Sequence, residues 1–264
     1  MHRVLLIILS IFSFALCTSL VLAQEDLMRI SDISFLDERY RQFLSTYRTQ
    51  SDAYIVSSKQ YYTLKTLASQ EEAVRVTRDL FLTRADILRT HFALLSANVQ
   101  RYDQVPQAER DKLLGEIASE AAQMDEHRKR VDIAINRPAI DEEALWLKTH
   151  QKPITELSGQ AQTLVQIGAL NESLQTLETV RSEIESFVQA APISETARTE
   201  KMRGVDELRR TLTAAQSEVD TVLNAYIEAS KRGNSVQGSQ SLGLLTSAHT
   251  KILRAIEFAK ELAS

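Results

Sequence analysis

The 264-residue sequence contains very little cysteine, proline or glycine, with 1 Cys, 4 Pro and 7 Gly. A single cysteine excludes an intrachain disulfide and any zinc or iron–sulfur site held by several cysteines. So few glycines and prolines argue against a loop-rich β-sandwich, because each of its turns draws on these residues. What is left is a chain of long regular segments joined by few turns.

An excess of positive charge is also missing. Lys plus Arg number 31 and Asp plus Glu number 35, which gives a formal net charge of -4. This balance offers no electrostatic basis for binding nucleic acid. Hydrophobic residues make up 44% of the chain, too large a share for a disordered protein. We therefore expect a folded protein that does not bind nucleic acid.

The first 23 residues have the pattern of an export signal. Arg3 is followed by an apolar run over residues 4–23, and Val21 and Ala23 occupy positions -3 and -1 of a cut before Gln24. Signal peptidase needs small or modest side chains there. The alternative is an uncleaved anchor, since the run is long enough to span a bilayer. Either way, we expect residues 24–264 in the periplasm, in the extracellular space or on the outer face of the membrane.

Residues 24–264 are predicted to form one helical bundle domain without cysteine, because the only cysteine is Cys17. Apolar residues recur there at steps of three and four, the period of an α-helix. The predicted fold is all-α, an elongated up-and-down helical bundle with coiled-coil-like seams. The predicted helices cover residues 31–67, 69 to about 102, 106–135, 194–232 and 242–262, with a turn near Ala68, a Ser69–Glu72 capping box and a flexible Gly/Ser/Gln-rich loop over 233–241. Ser194 is predicted to cap the start of the helix over 194–232, and Gly233 its end.

The apolar period also predicts which side chains point inward. In the second helix these are Val74, Phe81, Ala85, Leu88, Phe92, Leu95, Val99 and Tyr102, and in the third they are Leu114, Ile117, Ala121, Met124, Val131 and Ile135. In the helix over 194–232 they are Val205, Leu208, Leu212, Ala215, Val219, Val222 and Tyr226, and in the last helix they are Leu245, Ala248, Ile252, Ile256 and Ala259.

Residues 141–190 allow one, two or three helices. Pro153 lacks the amide hydrogen that a helix interior needs, so a short helix to Gln151 and a longer one to Ala190 are expected. Gly168 is a candidate for a second break.

No constellation that carries chemistry is found. His91, His127, His150 and His249 lack the Glu-x-x-His and His-x-x-x-His spacings of helical metal sites. No nucleophile elbow, phosphate loop or dinucleotide motif is present. Glu120 and its neighbour Glu116 are expected to be a solvated pair. The sequence thus predicts no catalytic residue, no cofactor and no metal, and a protein that is not an enzyme.

Four tyrosines stand at seven-residue steps on one helix face: Tyr40, Tyr47, Tyr54 and Tyr61. Together with the only tryptophan, Trp146, they are the predicted ligand or partner face, because a tyrosine offers a π-face and a hydroxyl. The alternative is that the tyrosines fill a helix seam and that Trp146 belongs to the core. The basic run 128–130 is flanked by acids and is expected to be a solvated face.

The segment over residues 66–75, TLASQEEAVR, follows an export signal and precedes further helices. In this it resembles uncharacterised exported all-helical proteins of uncultivated bacteria. The resemblance covers mainly residues 1–100 and implies no activity, cofactor or site residue.

Two functions follow as hypotheses. The first is a non-catalytic extracytoplasmic helical-bundle protein that acts as an interaction, spacer or envelope-associated module. The alternative is a ligand-binding or sensing bundle with a pocket between helices, near the tyrosines or near Pro153. The expected partner is a protein or cell-envelope component, and a homo-oligomer stays open. Contact with a membrane is expected only through residues 1–23, if they are not cleaved.

Overall fold

The computed structural model describes the backbone of residues 2–232 and 239–263, and the side chains of residues 32–232 and 240–263. The described chain is 93% helical, without a strand, so the predicted all-α class is confirmed. The export signal and Gly233 lie outside the described side chains, and both stay predictions. The helices are α1 (His2–Leu64), α2 (Leu67–Arg101), α3 (Gln107–Asp132), α4 (Arg137–Ala190), α5 (Glu195–Lys231) and α6 (Ser239–Ala263).

Among the residues with described side chains, no helix contains a stretch both long and apolar enough to cross a membrane.

The chain divides into two compact units. Unit 1 comprises Met1–Ala97 and Ala121–Leu145, and unit 2 comprises Asn98–Glu120 and Trp146–Ser264. Helices α2, α3 and α4 each contribute residues to both units. The prediction of one bundle domain over residues 24–264 stays a prediction.

A turn of two residues separates α1 from α2. Lys65 has a φ of 52°, in the left-handed region, and its amide donates to the carbonyl of Tyr61 at 2.9 Å. Thr66 caps α2, because its hydroxyl accepts from the amide of Ser69 at 3.3 Å while the Ser69 hydroxyl accepts from the Thr66 amide at 3.1 Å. A turn between the two helices is confirmed, but it lies at residues 65–66 and not near Ala68, as predicted. The predicted Ser69–Glu72 capping box was wrong, since Ser69 already lies inside the helix.

Within unit 1, α1 and α2 form an antiparallel hairpin. The ring of Tyr40 lies 6.1 Å from that of His91, and residues 54–62 face residues 70–81 across a shared cleft. Helix α2 buries two stripes of side chains. Ala85, Phe92 and Leu95 belong to the predicted stripe, and a second stripe is formed by Val76, Leu80, Thr83, Ile87 and Thr90.

Helix α3 buries a single stripe at alternating steps of four and three. Its predicted face included Leu114 and Ile135, but Leu114 is half-buried and Ile135 is exposed, because the helix ends at Asp132. Two ionisable residues take places in the stripe, which consists of Leu113, Ile117, Glu120, Met124, His127 and Val131. Ile117, Met124 and Val131 were therefore predicted correctly, whereas the predicted Leu114 and Ala121 each follow the residue that is buried.

Helix α4 runs unbroken through Pro153, so the predicted break was wrong. A proline inside a helix costs about 3 kcal/mol, and burial of Leu147, Leu157 and Leu164 on both sides of Pro153 offsets this cost. Gly168 does not interrupt the helix either. A Cβ built on it would lie 2.5 Å from the Cβ of Tyr102, so this glycine is required by close packing.

The prediction for α5 holds in detail. Ser194 caps the helix by accepting from the amide of Ala197 at 3.2 Å. All predicted inward residues are buried: Val205, Leu208, Leu212, Ala215, Val219, Val222 and Tyr226. This face packs on α6.

Helix α6 begins at Ser239, before the predicted start at residue 242, and it buries Ala255 more deeply than the predicted Ile256.

Two glycines in unit 2 give a matched test of the packing. Gly115→Ala should stabilise the protein by about 0.5–1 kcal/mol, because its added methyl meets nothing within 4 Å and alanine favours the helix. Gly168→Ala should destabilise it by about 1–3 kcal/mol, because the methyl would overlap Tyr102. Urea unfolding of both variants measures the difference. Equal effects of the two substitutions would contradict the packing of residue 168 against Tyr102.

Candidate functional site

The structure separates the residues of the predicted ligand or partner face. Tyr54 and Tyr61 line a cleft in unit 1. Tyr40 packs beside His91, and Tyr47 is half-buried further along α1. Trp146 belongs to unit 2, where its ring stacks on His150 with centroids 3.8 Å apart. Two members of the tyrosine column therefore share one site.

The tyrosine cleft, as we name it, is formed by α1, α2 and the first turns of α4 within unit 1. It encloses about 160 Å³. Helical periodicity places its residues, since positions 54, 58, 61 and 62 share one face of α1 and positions 137, 140, 141 and 144 share one face of α4. Its walls include Tyr54, Tyr61, Tyr62, Val74, Phe81 and Ile140.

Arg137 stands at the mouth of this cleft. Its Nη1 donates to the hydroxyl of Tyr61 at 2.8 Å, and its guanidinium carbon lies 5.4 Å from the centre of the same ring. Its Nε is 3.4 Å from Oδ2 of Asp141. The start of α4 holds the arginine in place, because the side chain of Asn136 caps the helix by accepting from the amide of Ala139 at 3.0 Å.

The same contact brings two turns of unit 1 together. Tyr61 lies just before the α1–α2 turn and Arg137 just after the α3–α4 turn. Large apolar side chains project from both turns, each at least 61% exposed. We name this patch the apolar tip, and it consists of Tyr62, Leu64, Leu67, Ile133 and Ile135. A cluster of this kind is unusual on the surface of a protein that meets only water.

A buried ionic cluster joins α3 to α4 within unit 1. His127 is fully buried, and its Nδ1 lies 2.7 Å from Oε2 of Glu143. Arg130 donates to both oxygens of the same carboxylate, from Nε at 2.7 Å and from Nη2 at 3.2 Å. Glu143 is itself buried. These contacts satisfy its charge, which would otherwise be costly in the interior.

The surroundings of His127 favour the neutral ring. Burial lowers the pKa of His127, and its hydrogen bond to the carboxylate of Glu143 opposes this shift without cancelling it. The positive charges of Arg130 and Arg84 lower the pKa further. The neutral ring then donates its Nδ1 hydrogen to Glu143. A ring with no exposed surface gives a substrate no access, so the geometry is that of a structural contact between helices.

This cluster was not predicted from the sequence. His127 was interpreted as an ordinary helix histidine, and Glu143 was not singled out. The sequence did contain a signal that His127 is buried. Ile117, Met124 and Val131 are spaced seven residues apart, and the intermediate positions of such a stripe, three residues after Ile117 and after Met124, are Glu120 and His127. No spacing rule points from His127 to Glu143, since the two lie on different helices.

The basic run 128–130 is not simply a solvated face. Lys129 is exposed and pairs with Glu126 on its own helix at 2.7 Å. Arg128, however, donates to Asp86 of α2 at 2.9 Å, and Arg130 takes part in the buried cluster. The three basic residues thus point in different directions and have different acidic partners. They do not form an anion site.

Glu120 in unit 2 also differs from expectation. Glu120 was predicted to be solvated, but it is buried in the stripe of α3, and burial raises its pKa. The charge of His150 opposes this shift. His150 is held by its ring contact with Trp146 and by a 2.9 Å contact between its Nδ1 and the Trp146 carbonyl.

Unit 2 also carries a polar groove between α4 and α5. Its amide side chains bond one another, with Gln216 donating to Asn171 at 3.1 Å and Asn171 donating to the carbonyl of Gln104 at 3.0 Å. This mutual pairing makes the groove a weaker candidate than the tyrosine cleft.

Among the described residues, no group of three or more His, Cys, Asp or Glu side chains could hold a metal ion.

In comparisons with known proteins, no family model, curated protein or solved structure matched this chain. The resemblance to exported helical proteins of uncultivated bacteria therefore stays a prediction. The candidate site rests on its own geometry.

The neutral, buried state of His127 predicts a pH-dependent stability. Because its pKa is lower in the folded state than the ordinary 6.5, the unfolded chain binds the proton more readily. The stabilisation that neutral His127 contributes is fully present above pH 6.5. As the pH falls below 6.5, the free energy of unfolding should decrease. His127→Gln removes this loss, so urea unfolding between pH 8 and pH 5 should show a smaller decrease for the variant than for the unchanged chain.

Substitution of the exposed His249 by Gln serves as the control, and it should follow the unchanged chain at every pH. If His127→Gln loses as much stability on acidification as the unchanged chain, the buried neutral ring is not the cause.

Proposed function

We propose that this protein is a non-catalytic extracytoplasmic interaction module that binds a partner protein through the apolar tip of unit 1. The observation that carries the proposal is the exposure of five large apolar side chains at two adjoining turns. Their exposure to water is unfavourable by about 25 cal/mol for each Å². A partner surface that covers them removes this cost.

The charges around the tip favour a protein partner over a lipid surface. Residues 62–72 and 129–142 contain Lys65, Lys129, Arg130 and Arg137 against five acidic residues. Attraction to anionic lipid headgroups depends on a cluster of basic residues without such compensation. A balanced, apolar patch is typical of protein interfaces.

A non-catalytic role is supported by the state of the buried ionisable groups. His127 and Glu143 are buried and bonded to each other. Glu120 is buried as well. These residues have a clear role in fixing helices, and a helix interface that buries them leaves no route to a substrate.

We propose further that the helices pack up and down with coiled-coil-like seams. Burial at alternating steps of three and four in α3 and α5 supports this packing. A long, regular scaffold of this kind suits a spacer that presents a tip.

We also propose that the chain is exported and cleaved before Gln24, since Val21 and Ala23 fit the requirements of signal peptidase. Mass spectrometry of the protein from the producing cell should give an N-terminus at residue 24 in the extracytoplasmic fraction. Ala23→Arg should block processing, because a large charged side chain does not fit at position -1. An intact residue 1–23 segment in the unchanged protein would contradict cleavage and support the anchor.

The docking of a partner is tested by photo-crosslinking at two matched aromatic positions. Tyr62 lies in the tip and is 65% exposed, while Phe187 lies in unit 2 and is 66% exposed. Each is replaced by benzoylphenylalanine, and the cells are irradiated. We expect one discrete protein adduct from position 62 and none from position 187. The adduct should disappear in the Leu67→Ser, Ile135→Ser double variant.

Adducts of equal yield and mass from both positions would contradict a partner specific to the tip. A lipid adduct from position 62 would replace the protein partner with a membrane surface.

A second candidate function, ligand binding, is favoured by the tyrosine cleft. It is a concave site between helices with aromatic walls and an arginine at its mouth, the features typical of small-molecule sites.

A further inference from the structure

The mouth of the tyrosine cleft carries one positive and one negative group. Arg137 and Asp141 are one helical turn apart on α4, with Nε and Oδ2 separated by 3.4 Å. Both side chains are largely exposed, at 47% and 66% of their surface. Exposed pairs of this kind contribute little to stability. The pair can therefore open to a ligand at small cost.

Arg137 is already oriented for a ligand. Its hydrogen bond to the hydroxyl of Tyr61 and its position over the Tyr61 ring fix the plane of the guanidinium group. Among the described residues, its Nη2 has no hydrogen-bond partner. That nitrogen remains able to donate to a carboxylate, the group that a guanidinium binds most strongly.

The cleft is small, and its lining combines apolar side chains with the polar side chains of Ser58, Gln70 and Thr77. Val74, Phe81 and Ile140 contribute to its walls, and Ile140 is buried. The enclosed space of about 160 Å³ is close to that of an apolar cavity of about 150 Å³ that accommodates a benzene ring. One ring-sized or branched aliphatic group therefore fits the cleft.

We propose that the tyrosine cleft binds a free α-amino acid with an apolar side chain. Its carboxylate pairs with Arg137, its ammonium group pairs with Asp141, and its side chain enters the space beside Phe81. A free amino acid carries both charges on one carbon, which matches the opposite charges at one edge of the cleft. A ligand with only a carboxylate would face Asp141 as a like charge, and a ligand with only an amine would face Arg137. The inference rests on ligand binding as the second candidate function.

Three probes of equal ring size test it by calorimetry on the purified full chain: L-phenylalanine, 3-phenylpropanoate and 2-phenylethylamine. We expect L-phenylalanine to bind. Each analogue with a single charge should bind at least about tenfold more weakly, because one charged contact is lost.

Charge-neutralising variants identify the residues. Arg137→Gln and Asp141→Asn should each weaken L-phenylalanine binding by about tenfold. The matched controls are Arg41→Gln and Asp37→Asn, because these residues form the same kind of exposed pair on α1, at 2.8 Å, outside the cleft. Both controls should bind L-phenylalanine like the unchanged chain.

A third variant keeps both charges and tests the cavity. Ala144→Leu projects a larger side chain into the cleft and should abolish binding, while the thermal melt followed by circular dichroism shows that the protein folds. If 3-phenylpropanoate binds as well as L-phenylalanine, ligand binding stands and the amino-acid specificity is wrong. If no probe binds, both the specificity and the second candidate function are wrong. Binding that survives Arg137→Gln and Asp141→Asn would overturn the proposed site.

Discussion

Helices α2 to α6 each bury at least one stripe of side chains, spaced three and four residues apart, and α2 buries two. The rest of the structure depends on this constraint. In α5 the stripe is apolar throughout and packs on α6. In α3 it includes Glu120 and His127, and burial of such groups is tolerated only with partners. Glu143 and Arg130 therefore accompany His127 into the interior, which fixes how α4 meets α3 within unit 1.

The contact between Arg137 and Tyr61 has a comparable role at the surface. It links the α1–α2 turn to the α3–α4 turn, and both proposed activities of unit 1 derive from it. On one side the two turns present their apolar side chains as one patch. On the other side the arginine, anchored by the tyrosine hydroxyl, meets Asp141 at the mouth of a cleft. One hydrogen bond thus organises both the proposed protein-binding surface and the proposed ligand site.

Much of the fold was predictable from local pattern. The helical class, the presence of a turn between α1 and α2, the cap at Ser194 and the whole buried stripe of α5 all follow from period and capping chemistry. Errors arose where a local rule was outweighed by packing. Pro153 remains inside α4 because apolar side chains on both sides are buried, and Gly168 serves a close contact with Tyr102 in place of a break.

The sequence by itself determined that the chain is helical and which stripe most helices bury, because these properties depend on neighbours within two turns of the same helix. It also singled out Tyr54 and Tyr61 as members of a surface column. Only the tertiary structure decided that His127 meets Glu143 and that Arg137, just after the α3–α4 turn, reaches Tyr61, just before the α1–α2 turn. These contacts join residues on different helices, and helical periodicity carries no information about which helix a given face will meet.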